Sequence, residues 1–405
     1  MSQTNERVAN EPAVDRPPVM ADTAPQLRVG GLRIPTDALR AYTLVFALVA
    51  IWVIFSYKTN NIFLEPRNIS NLMRQTAVTG VLAVGMLMVI VTGQIDLSVG
   101  SVVGLTGGIA AIFLTWFGYG LVPALAAAVV AGLLIGALHG ALTAYANIPA
   151  FIVTLGGMLV WRGAVKGLTQ GNTIPVALQS FRDIGQQYVS KPTGWVIAVA
   201  AVASIVLLNV RRNSARRRHG LQAASAISLA VRTIIPSAVI IGFIWVLNSY
   251  SGVPVPVIIL IAVAVVGAFL TEQTTFGRYL YAIGGNPDAA RLSGINLRLH
   301  ILAVFCIIGA LAAVAGMINT ARLGSATPDA GTLLELNAIA ACVIGGASLV
   351  GGRGTVFGAC LGALFMASLD NGMSLAGIKD YVQDITKGAI LVFAVGLDML
   401  GRRKG

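Results

Sequence analysis

A chain of 405 residues that is 56% hydrophobic and only 11% charged, with a mean hydropathy of +0.81, is a polytopic membrane protein rather than a soluble globule. The formal net charge of +12 would suit a nucleic-acid binder in a soluble chain. In a membrane chain the placement of Lys and Arg matters more than their sum, so no nucleic acid is expected as a partner. No alternating strand pattern repeats, and lipid tolerates no unpaired backbone, so the expected fold is all-α rather than a barrel.

Residues 1–38 are polar, carry Pro12, Pro17, Pro18, Pro25 and Pro35, and precede any apolar run. That composition predicts a disordered cytoplasmic tail, not a cleaved signal, with the membrane domain over 39–405. Apolar runs then start near Ala41, Leu72, Ser98, Leu121, Ala150, Gly194, Thr233, Pro254, Leu299, Leu334, Thr355 and Ile385. They predict about 10–12 transmembrane helices. With the N-terminus inside, 18 of the 28 Lys and Arg residues fall in cytoplasmic segments. The strongest anchor is RRNSARRRHG, Arg211 to Gly220, and the terminal GRRKG agrees with it, so both ends are expected in the cytoplasm. The polar stretch Thr169 to Thr193 becomes the largest outer loop. Re-entrant turns at Ile95 to Ser101 or Gly345 to Gly354 would change the helix count and remain open.

The 46 glycines are patterned. Gly100, Gly104 and Gly108, then Gly132, Gly136 and Gly140, and then Gly354, Gly358 and Gly362 recur at four-residue spacing, which makes ridges where helix backbones approach closely. GSVVGLTGG from Gly100 and GTVFGACLG from Gly354 share G-[ST]-V-x-G-x-x-x-G, a short and weak sign of duplicated halves. Cys306, Cys342 and Cys360 lie in apolar runs and read as packing residues.

Chemistry-bearing motifs are mostly missing. Gly followed by Lys never occurs, so there is no phosphate-binding loop and the chain is not expected to hydrolyse ATP itself. His139, His219 and His300 are scattered, so no metal, cofactor or catalytic set is expected. Asp96 in GQIDLSVGS either caps the helix starting near Leu97, as Ser98 also could, or joins Gln94 and Ser98 as polar lining of a solute path. Asn319, Glu335 and Asn337 are further candidates for that lining. Arg322 either snorkels to the outer interface or meets a partner arriving from outside, and Glu335 is a helix-dipole partner, a salt-bridge mate for Arg322, or an outside contact. Asp370, Asn371 and Asp398 read as span-end residues.

The segment Gly284 to Ile295 is different: a polar helix with its caps written in, between two apolar spans. Asn286 suits the cap, Pro287 the first position, Asp288 the positive end, and Gly294 the left-handed stop. It is either a well-made turn or a handle worked from outside the bilayer.

Taken together, GQIDLSVGS, AFIVTLGGM from Ala150, FGRYLYAIGGNPDAARLSGI from Phe276, the stretch Arg322 to Gly354 and DNGM from Asp370 resemble the permease subunits of bacterial ABC importers for ribose, xylose and related monosaccharides. The resemblance covers nearly all of the chain after the tail and implies the ABC importer permease fold in the inner membrane. It implies a second permease copy, forming a homodimer, together with ATP-binding subunits and a periplasmic sugar-binding protein. It makes Asn286, Pro287, Asp288, Ala289, Ala290, Arg291, Leu292, Ser293 and Gly294 the coupling helix that seats in the ATPase, and Arg322 a candidate binding-protein contact. The longer middle, with an insertion over 194–250, looks like the xylose-type permeases, which leans the substrate toward D-xylose. An ion-coupled secondary sugar transporter is the main alternative; an intramembrane enzyme would need a catalytic pair that the sequence does not show.

Overall fold

A computed structural model describes residues 26–29, 32–218 and 226–402, so residues 1–25 of the expected tail, and His219, lie outside the described residues. Strands β1 (Gln26–Val29) and β2 (Leu32–Pro35) pair antiparallel ahead of α1 (Thr36–Lys58). There follow α2 (Pro66–Val91), α3 (Val99–Thr115), α4 (Leu121–Ala144) and α5 (Ala150–Leu168). A connecting region holds β3 (Ile174–Pro175), α6 (Gln179–Gln186) and β4 (Tyr188–Val189), and leads to α7 (Lys191–Arg218) and α8 (Ala226–Tyr250). Next come β5 (Val253–Pro254), α9 (Val255–Ala268), α10 (Thr275–Gly285) and α11 (Pro287–Leu292). The chain continues through α12 (Leu297–Leu323), β6 (Ser325–Ala326), α13 (Leu334–Ile344), α14 (Val356–Leu375) and α15 (Asp380–Arg402). Eight described helices are long and apolar enough to cross a membrane, and three shorter apolar ones, at Thr43–Lys58, Val99–Thr115 and Leu334–Ile344, accompany them.

At the centre are α2, 89% of whose apolar window is buried, and α12, at 56%. Lipid tails are as apolar as leucine, so close backbone approach rather than water exclusion holds such helices together. The glycine ridges supply it. A side chain at Gly132 would strike the Gly309 carbonyl, one at Gly136 the Phe305 carbonyl, and one at Gly309 the Gly132 carbonyl, so α4 and α12 meet backbone to backbone. On its other side α12 takes α3 the same way, Gly316 lying against the Val103 carbonyl and Gly107 against Thr320 Oγ1. Gly358 and Gly362 of α14 face the Gly345 and Ala341 carbonyls of the α13 region. Both copies of the nine-residue repeat therefore open a helix and give that helix its packing ridge.

Two faces of the bundle are defined by the loops. On one, β3 pairs with β6 and β4 with β5, and α6 lies across the end of α12, with Phe181 fully buried and Gly185 admitting the Arg322 backbone. The expected large outer loop is thus a folded cap. On the opposite face lies α11. The two loops left open as re-entrant turns meet there: Gly352 N donates to Val91 O at 2.8 Å, and Gly93 sits against the Val350 carbonyl. The loop before α14 therefore joins its helices at the α11 face, whereas the loop after α2 leaves that face to reach the start of α3 beside Glu335.

Among the described residues, a crossing that is not helical throughout ends in α13. Eleven residues rise only about 16 Å, short of the roughly 30 Å hydrocarbon core. The rest is irregular chain over residues 327–333, descending beside α3: the Ala330 carbonyl faces Gly104 and the Gly331 carbonyl faces Gly100. Non-helical backbone at such depth stands only where protein covers it, and two glycines of α3 make room for that cover. Gly331 at φ +82° and Leu333 at φ +64° turn this chain into α13.

Candidate functional site

Three clusters of described polar groups bear on the candidate path. The first surrounds the start of α3. Ser98 donates its backbone N–H to Asp96 Oδ1 at 2.8 Å and its hydroxyl to the same oxygen at 2.6 Å. Trp161 Nε1 donates to His139 Nε2 at 3.0 Å, so that nitrogen is the acceptor and the ring proton sits on Nδ1, 3.2 Å from Ser98 Oγ. The chain Trp161, His139, Ser98, Asp96 is a satisfied, directional relay tying α4 and α5 to α3. Asp96 and Ser98 are 3% and 0% exposed. Asp96 closes a tight turn just ahead of α3, while Ser98 at the N-cap gives no side-chain bond to the free N–H groups of the helix, so the expected cap is not formed.

Glu335 reaches the same place from α13. Its Oε2 lies over Gly100, where a Cβ would collide with it, and this oxygen has no hydrogen-bond partner although the residue is only 5% exposed. Opposite it, Arg162 of α5 gives Nη1 to Thr332 Oγ1 at 2.9 Å and keeps Nη2 unpartnered, while Lys166 pairs with Asp329 at 3.2 Å. An unsatisfied acceptor and an unsatisfied donor thus flank the irregular chain over residues 327–333. A hydroxyl-rich solute could use both.

The second cluster joins α13, α14 and α15. Asn337 Nδ2 donates to Asp370 Oδ2 at 3.2 Å, and Lys387 lies 3.0 Å from Asp370 Oδ1 and 3.8 Å from Asp384. One residue on, Asn371 Oδ1 accepts from Asn68 at 2.8 Å. The third is at the far end of α12. Arg322 donates to Asn319 Oδ1 at 3.3 Å rather than to Glu335, while Gln186 of α6 holds the Ala321 and Arg322 carbonyls and accepts from Arg74 at 2.6 Å. The six residues expected to line a path are therefore divided: Asp96, Ser98 and Glu335 at the start of α3, Asn337 in the second cluster, Asn319 in the third. Gln94 is half-buried in the loop after α2. Sequence reasoning did not single out Arg162, Trp161 or Lys387, and gave His139 only as one of three scattered histidines; a basic residue within an apolar run was the available signal for Arg162 and Lys387.

The α11 segment folds as its caps dictate. Asn286 Oδ1 accepts from Ala289 N at 3.0 Å, Pro287 opens the helix, and Gly294 at φ +82° sends its N–H to Arg291 O at 3.0 Å. Ala290 is its buried residue, while Leu292 is 89% exposed, an apolar side chain held clear of the protein. At its root Gly284 touches the Val91 carbonyl and Gly352 N without room for a side chain. One short helix is thus seated on the end of α2 and on the loop before α14.

A helical bundle with unpaired polar groups at depth and a capped polar helix projecting at one face suits a membrane permease. The chain belongs to the family of permease components of branched-chain amino acid transport systems, whose model matches residues 68–395. It is 46% identical over 366 residues, 90% of this chain and 93% of the relative, to the xylose transport system permease protein XylH of Escherichia coli. Identity to XylH of Haemophilus influenzae is 45% over 366 residues, 90% of this chain and 98% of the relative. The ribose import permease protein RbsC of Escherichia coli is 35% identical over 372 residues, 91% of this chain and 97% of the relative. No solved structure matches the chain. The chain is accordingly a multi-pass membrane subunit of a transport system rather than an ion-coupled carrier or an enzyme.

Proposed function

We propose that this permease carries D-xylose inward across the bacterial inner membrane, driven by separate ATP-binding subunits. The observation that carries the reading is α11: a helix capped at both ends, presenting Leu292, rooted through Gly284 on α2 and the loop before α14. Similarity to XylH supports the sugar. In this reading the segment Asn286 to Gly294 is the coupling helix on the cytoplasmic face, where Arg211, Arg212 and both chain ends also lie, following the bias of basic residues.

A second copy of the chain completes the path as a homodimer, and a periplasmic sugar-binding protein delivers the sugar to the face capped by α6, with Arg322 and its neighbour Arg74 beneath. Sugar hydroxyls that leave water cost several kcal/mol each when unreplaced. Glu335 Oε2 and Arg162 Nη2 are the groups left open to replace those bonds, with Asn337, Asn319 and Gln94 along the way. Selection belongs to the delivering protein, so a sparse polar wall suffices. The insertion over 194–250 adds a pair of crossings at the edge and leaves the sidedness of α11 unchanged.

Reconstitution with ATP-binding and binding-protein partners tests this reading. Gly294→Val forces a β-branched residue into a left-handed conformation, although the space around it is open. The folded variant is expected to lose D-xylose uptake and sugar-stimulated ATP hydrolysis together. If both match the parent, α11 is not the coupling element.

A further inference from the structure

We propose that the α7–α8 hairpin carries a binding site for anionic phospholipid headgroups, built from Arg211, Arg212 and Arg232. This site does not depend on the coupling role of α11. It rests on two observations about the hairpin.

The first is where the hairpin sits. Only 11% of the apolar window of each helix is buried within the protein, and Val196, Val199, Leu207 and Leu208 of α7 with Ile234, Ile235 and Val239 of α8 are exposed. In a multi-pass membrane subunit such side chains meet acyl chains. The exposed band has marked edges. Trp195, Trp245 and Tyr250 lie at the end next to β4 and β5, and the arginines lie at the other. From Trp195 to Arg211 the helix rises about 24 Å, the span from one headgroup region to the edge of the other. Aromatic residues favour these interfaces, so the arginines sit at headgroup level.

The second is charge. Between Asp183 and Glu272 the chain contains no acidic residue, although Lys191, Arg211, Arg212, Arg216, Arg217, Arg218 and Arg232 fall within that interval. No ion pair among the described residues engages Arg211, Arg212 or Arg232, and all three are exposed. The two helices are joined at this level: Asn209 Nδ2 donates to the Arg232 carbonyl at 3.3 Å and to Thr233 Oγ1 at 3.0 Å. Three exposed arginines therefore flank one fixed seam at the same level, with no ion-pair partner among the described residues. Guanidinium forks match a phosphate diester bidentately, and a phosphatidylglycerol headgroup brings that phosphate to this depth with two acyl chains for the apolar band below. Sidedness alone would require positive charges near the seam but not a headgroup held in it.

The purified chain is titrated with dioctanoyl phosphatidylglycerol and dioctanoyl phosphatidylcholine, with bound lipid read by native mass spectrometry. The parent is expected to prefer phosphatidylglycerol. The triple variant Arg211→Gln/Arg212→Gln/Arg232→Gln is expected to bind it on the order of 100-fold more weakly, since each basic residue near an anionic surface contributes about fivefold. The triple Arg211→Lys/Arg212→Lys/Arg232→Lys, which keeps the charge but loses the bidentate fork, should fall between the parent and the glutamine triple. Should the glutamine triple fail to fold, salt decides on the parent, whose preference must fall as ionic strength rises. Equal binding of the two lipids by the parent overturns the proposal. So does a glutamine triple that binds phosphatidylglycerol like the parent, or displacement of the lipid by equimolar inorganic phosphate. A glutamine triple that loses its ATP-binding subunit while keeping its lipid would assign the seam to a protein partner instead. Loss of lipid preference leaves the coupling test with Gly294→Val unaffected, so the two readings fail separately.

Discussion

Single glycines decide how closely this bundle packs. At Gly136 of α4 an added methyl group would strike the backbone carbonyl of Phe305, which cannot move without shifting α12, whereas at Gly156 of α5 it would meet open space. Gly136→Ala is therefore expected to destabilise the protein by about 1–3 kcal/mol, and Gly156→Ala by less than about 0.5 kcal/mol. Thermal melting of the two purified variants in one detergent checks the difference. Ser98 carries a comparable weight in hydrogen bonds. Ser98→Ala removes a donor to Asp96 and the acceptor facing His139 Nδ1 inside a buried site, and the expected cost is about 1–3 kcal/mol. Melting again reads it, and Ser98→Thr, which keeps the hydroxyl, should recover part of the loss. At this scale the sequence was partly legible. Asp96 and Ser98 stood out as a pair of polar residues at the start of α3, and their bond is local because the two partners lie two residues apart, although it closes a turn rather than capping the helix. Trp161 and His139 were not, because their bond joins two helices whose relative rotation only packing sets.

Helix boundaries show the same division. The starts of α4, α5 and α13 agree to the residue with the onset of apolar runs at Leu121, Ala150 and Leu334. α2 begins at Pro66 rather than Leu72 and α8 at Ala226 rather than Thr233, since a helix goes on through polar residues beyond the hydrocarbon and hydropathy does not see them. The caps of α11 were fully legible, because capping is local chemistry. The irregular chain over residues 327–333 was not, as nothing in its composition says that Gly100 and Gly104 leave room for its carbonyls. Between elements, Lys387 of α15 holds Asp370 of α14 at 3.0 Å, in a place the sequence marked only as a span end. Lys387→Met would leave that carboxylate with Asn337 as its remaining partner and is expected to cost about 1–3 kcal/mol, while Lys387→Met/Asp370→Leu, which removes both charges, should restore most of it. Melting of the single and double variants separates a structural ion pair from a transport group: if uptake by the stable double variant is lost, Asp370 acts on the solute as well.

At the scale of the whole molecule, one continuous set of contacts joins the projecting helix to the polar break at depth. α11 is rooted by Gly284 on Val91 and Gly352; Val91 ends α2, which leads through the Gln94 to Ser98 loop to α3; and α3 bears Gly100 under Glu335. A displacement of α11 by a docked ATP-binding subunit would reach the start of α3 and α13 through backbone contacts that have no slack. The periphery, α7 and α8, stands apart from that line. The account as a whole requires α11 to face the compartment that holds ATP. The most direct measurement replaces Cys306, Cys342 and Cys360 with Ala, adds Arg291→Cys, and applies a membrane-impermeant maleimide to right-side-out and inside-out vesicles. The exposed position at 291 is predicted to be labelled only in inside-out vesicles, and less so when ATP-binding subunits are present. Labelling from the outer side of right-side-out vesicles would contradict the account.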